Sequence, residues 1–300
     1  MSQTTTRVMR LLSWLCLVVV ALLALLLVLL RWYPYPSAFP SLPRITHTAS
    51  GAAGDPLNLI IVGSQPQITQ SFLQAGWLIP DPITPQTSAK IAAASLAHRS
   101  YPTAPVSNLY VFGRVQDLAF EKPTNDVGNR GHIRLWQTSM LIGGQPAWIG
   151  QASYDHGIEL SGTSHQPTHH IAPTVDLERN AVGADLAKTG LVVAEGYGAF
   201  TPPIFAAYNG GGDYYASDGD VRIITYTQTP LQLAPSDGLV GLVLELKRAV
   251  FLFYDAILST PLLALAVTLL GLSIVVGGVW PALRWLVRIR GERRVRPKRS

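Results

Sequence analysis

"HIRLWQT", residues 132–138, and "PAWIGQASYDHG", residues 146–157, decide the fold class. Each run carries β-branched or aromatic residues between turn-forming glycines, which is the pattern of a strand. Consecutive strands without intervening helices argue for a mixed or antiparallel sheet in an α+β fold and against a doubly wound one. Side chains alternate along a strand, so His132, Arg134 and Trp136 share one face while Ile133 and Leu135 share the other. The second pair is core. The first set is either a solvated sheet face or a ligand-facing wall in which Arg134 holds a carboxylate or phosphate. Asp155 and His156 are adjacent near the end of the second run and point oppositely, so only one of them can join the His132 face. Asp155 is then a turn former or a carboxylate of that wall.

Working outward, SNLYVFGR, DLAFEKP, LVVAEGYG and GDVRIITYTQT read as further strands, the last entered through an Asp218–Gly219 turn. Leu57 to Gly63 is a short apolar strand. PQITQSFLQAGW follows as a helix with Pro66 in its first turn and Ile68, Phe72 and Leu73 on one face. Thr87 to His98 is a second helix capped by Thr87 or Ser88. Residues 175–188 form a third, with Thr174 as cap and Gly190 as stop. Arg114 and Asp117 are spaced to suit a turn or a bulge, as a structural ion pair or as part of a site.

SHQPTHHIAPTVDLER, residues 164–179, is rich in ligating groups. His165 and His169 have helical ligand spacing, but Pro167 between them argues for a loop. The HExxH pattern of metalloproteases is absent. A site of His165, His169 and Asp155 would have the nitrogen–oxygen character that suits zinc, manganese or iron. Asp176 and Glu178 complement the dipole of the following helix. Arg179 gains nothing from that dipole and either pairs with Asp176 or faces a ligand. NGGGDYY, residues 209–215, lacks the ending of a P-loop and the spacing of a dinucleotide site, and reads as a flexible loop. No G-x-S-x-G elbow supports a serine hydrolase.

Only 14% of the 300 residues are charged, and the charges are unevenly placed. Residues 11–31 and 256–283 are apolar runs long enough to cross a bilayer. The first has the length and aromatic exit of an uncleaved signal anchor, the alternative being a cleaved signal peptide. Residues 1–10 carry Arg7 and Arg10, and the tail 284–300 carries a net +7. From Arg31 to Asp255 there are 13 Lys and Arg against 17 Asp and Glu. The positive-inside rule then places both termini in the cytoplasm and the middle outside it. The high isoelectric point is therefore a topology signal and not a nucleic-acid one, and the tail is expected on anionic lipid headgroups. Residues 32–54 form a Pro-, Ser- and Gly-rich stalk, 55–228 a folded domain, and 229–255 a partly helical connector. The single cysteine, Cys16, lies in the first apolar run, which excludes disulfides and thiolate chemistry from the domain.

In order along the chain, GRVQDLAFEKP, HIRLWQT, PAWIGQASYDHGIELS, THHIAPTVDLERNAVGADL and NGGGDYY resemble the LssY C-terminal domain family over roughly Gly54 to Thr227. The resemblance implies a bacterial inner-membrane protein, since such domains occur alone or beside lipid-phosphatase or DedA-type membrane modules. It implies no assigned activity and no known cofactor. It singles out Arg114, Asp117, His132, Arg134, Trp136, Asp155, His169, Asp176 and Arg179. Ala172 stands where such proteins often carry an acidic residue, and the lipid-phosphatase motifs are missing, so that activity does not carry over.

Three functions compete. The first is an envelope module that binds an anionic lipid headgroup, a glycan or a protein partner. The second is a hydrolase or transferase of a phosphate-containing envelope lipid, with His132, Asp155 and His169 as acid–base residues and Arg114, Arg134 and Arg179 as anion holders. The third is a structural partner of a membrane transporter. The second requires its residues to converge in a single pocket.

Overall fold

The computed structural model describes residues 37–96, 99–124, 129–160, 167–227 and 238–260, together with scattered positions of 11–28 and positions 262 and 265. In chain order the elements are β1 (Ile45–His47), β2 (Ala53–Pro56), β3 (Leu59–Val62), α1 (Gln65–Gln74), α2 (Pro85–Leu96), β4 (Tyr110–Val111), β5 (Arg114–Val115), β6 (Leu118–Pro123), β7 (Asn129–Ile142), β8 (Gln145–Leu160), β9 (Pro167–Ile171), α3 (Val175–Ala187), β10 (Ala194–Ala199), β11 (Ile204–Tyr208), β12 (Tyr214–Ser217), β13 (Asp220–Thr225) and α4 (Gly238–Ser259). The chain divides into two units, residues 35–244 and a second made of 1–34 and 245–300.

The first unit is α+β. Its main sheet has seven strands in the order β10-β13-β3-β8-β7-β6, with β9 added to β8. All its pairings are antiparallel except β13 with β3. A four-stranded sheet, β2-β1-β4-β5, and a two-stranded one, β11-β12, complete the strands. Pro123 closes β6 at the sheet edge, the one place where a residue without an N–H does no harm to a ladder.

Both faces of the main sheet are covered, which is why β3 reads as an unbroken apolar run. Leu59, Ile61, Ile133, Leu135 and Ile224 point to one core, filled by Ile68 and Phe72 of α1 and Val182 and Leu186 of α3. Ile60, Val62, Trp136, Ile149, Val221 and Ile223 point to a second core, against Phe39, Leu42, Leu109 and Val111. The face carrying His132 and Arg134 is thus buried between two layers and not solvated.

Local details differ from expectation in instructive ways. On α1, Ser71 is buried where Leu73 was expected to be, and Leu73 is 47% exposed. Helix α2 starts two residues early, at Pro85, because Thr84 and Thr87 cap each other: Thr84 Oγ1 accepts the Thr87 N–H at 3.1 Å and Thr87 Oγ1 accepts the Thr84 N–H at 2.9 Å. The stretch Thr168 to Ile171 is strand, not loop, pairing with β8 at Ile158↔His169 and Asp155↔Ile171. The Asp218–Gly219 turn, with Gly219 at φ +85°, does not make a hairpin; it passes the chain from the two-stranded sheet to the main one. Residues 164–166, nine positions of the run 11–31 and most of the run 256–283 fall outside the described residues. Among the described residues, no helix is long and apolar enough to cross a membrane.

Candidate functional site

Register builds the site. In the β7–β8 pair, Arg130 lies opposite Asp155, His132 opposite Ser153 and Arg134 opposite Gln151. Alternation sends all six side chains to the second-core face, and towards this end of the strands the apolar layer of Trp136 and Ile149 gives way to polar groups. Over them lie Asp55 of β2, the loop through Ser107, and the turn from Asn209 to Asp213. Together they enclose a cavity of about 190 Å³ whose lining includes Asp55, Arg130, His132, Arg134, Ser153, Asp155 and Asp213. The lining is buried: His132 is 4% exposed, Arg134 5% and Asp155 7%.

Most charges here have opposite charges beside them. His132 Nε2 lies 2.7 Å from Asp155 Oδ2. Arg130 donates to Glu121 Oε2 at 3.0 Å. Burial pushes the Glu121 carboxyl up to about 7, against the opposing pull of Arg130. His170 Nδ1 meets Asp213 Oδ1. Burial also raises the Asp55 carboxyl; Arg134 pulls it down, while Asp155 and Asp213 add to the rise. Asp55 is thus biased towards its neutral form.

Arg134 is different. Its Nε donates to Ser107 O at 3.0 Å, Nη1 to Gln151 Oε1 at 2.7 Å and Nη2 to Ser107 Oγ at 3.2 Å. All three partners are neutral, and a guanidinium has five N–H donors. Burial lowers its pKa, opposed by the more distant fields of Asp55 and Asp155. A buried cation held only by neutral acceptors is costly unless a ligand completes it.

The roof is a built turn and not a flexible loop. Asn209 Oδ1 accepts the N–H groups of Gly211 and Asp213, each at 2.9 Å. Its Nδ2 donates to Asp55 Oδ1 at 3.0 Å and to Asp213 Oδ2 at 3.2 Å, tying β2 to the turn. Gly210 passes so close to Ala52 that a Cβ would lie 2.7 Å from the Ala52 Cβ.

Of the residues singled out from sequence, the cavity gathers His132, Arg134 and Asp155. Trp136 shares their face but lies in the apolar core, its Nε1 donating to Arg114 O at 3.3 Å. Arg114 and Asp117 pair with each other and with the Gln137 backbone at a turn away from the cavity. Arg179 is 1% exposed and fully engaged elsewhere: it clamps Asp218 through both Nη atoms, at 2.7 and 2.9 Å, and reaches Asp220 O at 2.6 Å. Burial alone would lower its pKa, but the Asp218 hydrogen bonds and the charges of Asp176 and Asp218 raise it. Asp176, 3.2 Å from Arg179, accepts from Ser217 Oγ and Asp218 N, and burial lifts its carboxyl to about 6. Thr174 sits at the helix start without a side-chain cap bond. His165 and the side chain of His169 fall outside the described residues. Among the described residues, no group of three or more His, Cys, Asp or Glu is arranged to hold a metal ion.

Arg130, Ser153, Asp55, Asp213, Asn209 and His170 are additions of the structure. Two were within reach of the alternation rule: one step back from His132 gives Arg130, and one step back from Asp155 gives Ser153. Asp55 and Asp213 belong to segments far apart in sequence, and nothing local announces their meeting.

A family model described as the LssY C-terminus matches residues 39–221, more than half of the chain. No curated protein and no solved structure matches the chain.

Proposed function

This chain belongs to the LssY C-terminal family, and from that premise we propose that its domain is a hydrolase or transferase acting on a phosphate-bearing substrate in the cavity of β7 and β8. The observation that carries this reading is the meeting of Arg134, a buried cation with neutral partners, with the His132–Asp155 pair in one enclosed space. Arg134 supplies the anion site. His132, oriented by Asp155, moves the proton, taking one from the attacking group and returning it to the departing oxygen. Exclusion of water strengthens each of these interactions.

The setting we propose is the outer side of a bacterial inner membrane. It is supported by the apolar runs at 11–31 and 256–283 and by the basic flanks. Large apolar side chains described in the first run, among them Leu11, Leu15 and Leu22, are exposed in the isolated chain. An envelope lipid headgroup is then the substrate source nearest to hand, and the tail 284–300 rests on anionic lipid.

Recognition without turnover is the second reading. The pairing of Arg130 with Glu121 and of His170 with Asp213 favours it, because a wall of braced charges also makes a good headgroup pocket. Hydrolysis of p-nitrophenyl phosphate by the full-length protein in detergent separates the two. Turnover that falls by about 10²–10³ in both Arg134→Gln and His132→Gln supports the enzyme. Phosphate binding with no turnover above the buffer rate transfers the site to the binding reading, and turnover indifferent to both substitutions sinks the proposal.

A further inference from the structure

Ser153 has a hydroxyl that the fold itself does not use. It is 1% exposed, and among the described residues its Oγ has no hydrogen-bond partner. Leaving a buried hydroxyl unsatisfied is unfavourable, and native folds rarely keep one without a role. Its place is specific: it lines the cavity and stands directly opposite His132 across the β7–β8 ladder, two residues before Asp155 on the same face. Directly opposed residues have Cβ atoms roughly 4.5–5.5 Å apart, so one rotamer step brings a serine hydroxyl into reach of the facing imidazole. Ser153, His132 and Asp155 therefore form a hydroxyl, an imidazole and a carboxylate in sequence across two strands, with Arg134 one pair further along.

We infer that Ser153 is the nucleophile of this site; the inference rests on the phosphate reading above. Its Oγ forms a bond to phosphorus as the bond from phosphorus to the substrate alcohol breaks. The serine proton passes to His132 and from the imidazolium to the departing alcohol oxygen. Water then attacks the phosphoserine, giving one proton to His132. The bond between Oγ and phosphorus breaks, Oγ recovers that proton, and phosphate leaves. Asp155 holds the imidazole by accepting from Nε2–H, so Nδ1 is the nitrogen that takes up the serine proton and passes it on. The absence of a G-x-S-x-G elbow does not count against this arrangement, because triads are defined by geometry and roles and not by sequence position. Here the strand register, not a strained turn, presents the hydroxyl.

The test is covalent labelling of the full-length protein in detergent with an alkyl fluorophosphonate, read by intact mass and peptide mapping. One adduct on Ser153, blocked by prior inorganic phosphate and lost in His132→Gln, is the expected result. Ser153→Ala should lower kcat for p-nitrophenyl phosphate by at least about 10³-fold with KM little changed, while its thermal midpoint stays near that of the parent. No adduct, an adduct on another serine, or a Ser153→Ala variant that keeps its kcat overturns the inference. If inorganic phosphate still binds in an Arg134-dependent way when Ser153 fails these tests, the nucleophile alone is wrong; if phosphate does not bind at all, the phosphate reading fails with it.

Discussion

Two buried polar clusters in this domain use the same residue types and differ in what they leave over. The Arg179 cluster joins α3 to the β12–β13 turn through Asp176, Ser217, Asp218 and the Asp220 carbonyl, and it is closed: each group is spent on another part of the protein. The Arg134 cluster surrounds a void, with a cation on neutral partners and a serine hydroxyl that has no partner among the described residues. An arginine buried among aspartates is thus not evidence of a site. What distinguishes a site is hydrogen-bonding capacity facing open space.

The largest effect should come from breaking the closed cluster. Arg179→Met leaves Asp176 and Asp218 buried without their cation and should cost about 3–5 kcal/mol in denaturant unfolding, since removing one partner of a buried pair strands the other. A loss below about 1 kcal/mol would show that this arginine is not a brace.

A smaller effect sharpens the comparison from the other side of β7. Burial pushes the Glu178 carboxyl from 4.5 up to about 7, helped by Asp185 and opposed by Lys122. An acid whose folded pKa is raised binds more protons in the native state than in the unfolded state between those values. Its contribution to stability is therefore present below about 4.5 and lost as pH rises to about 7. Glu178→Gln should remove up to about 3 kcal/mol of that decline, measured by unfolding at pH 4.5 and pH 8, and leave phosphate binding unchanged. An unaltered pH profile would refute the assignment.

The smallest effect is expected at Arg114→Ala. This arginine is partly exposed, its ion pair with Asp117 is screened by water, and the loss should stay within about 1 kcal/mol with no change in turnover. A fall in turnover would move the site towards that turn.

The fold class was legible because it rests on alternation and on the absence of a helix between residues 138 and 146, both local properties. The same alternation placed His132 and Arg134 on one face. It did not show that a second layer buries that face, because the roof comes from Asp55, Ser107 and Asp213, whose approach depends on tertiary packing. Arg179 was legible in part. Its pairing with Asp176, three residues earlier, is local and is observed at 3.2 Å, while its stronger partners, Asp218 and the Asp220 carbonyl, lie about forty residues away. NGGGD looked like a flexible loop, since nothing in five small or polar residues shows that Asn209 will tie two segments together.

We propose that Arg134 is held for an anion, whereas Arg179 is held for the fold. Calorimetric titration of inorganic phosphate into the full-length protein at low salt tests it most directly, comparing the parent with Arg134→Gln and Arg114→Ala. The account predicts binding in the parent and in Arg114→Ala, and at least about tenfold weaker binding in Arg134→Gln, the loss of one charge-assisted contact. Equal phosphate affinity in Arg134→Gln and the parent would contradict it.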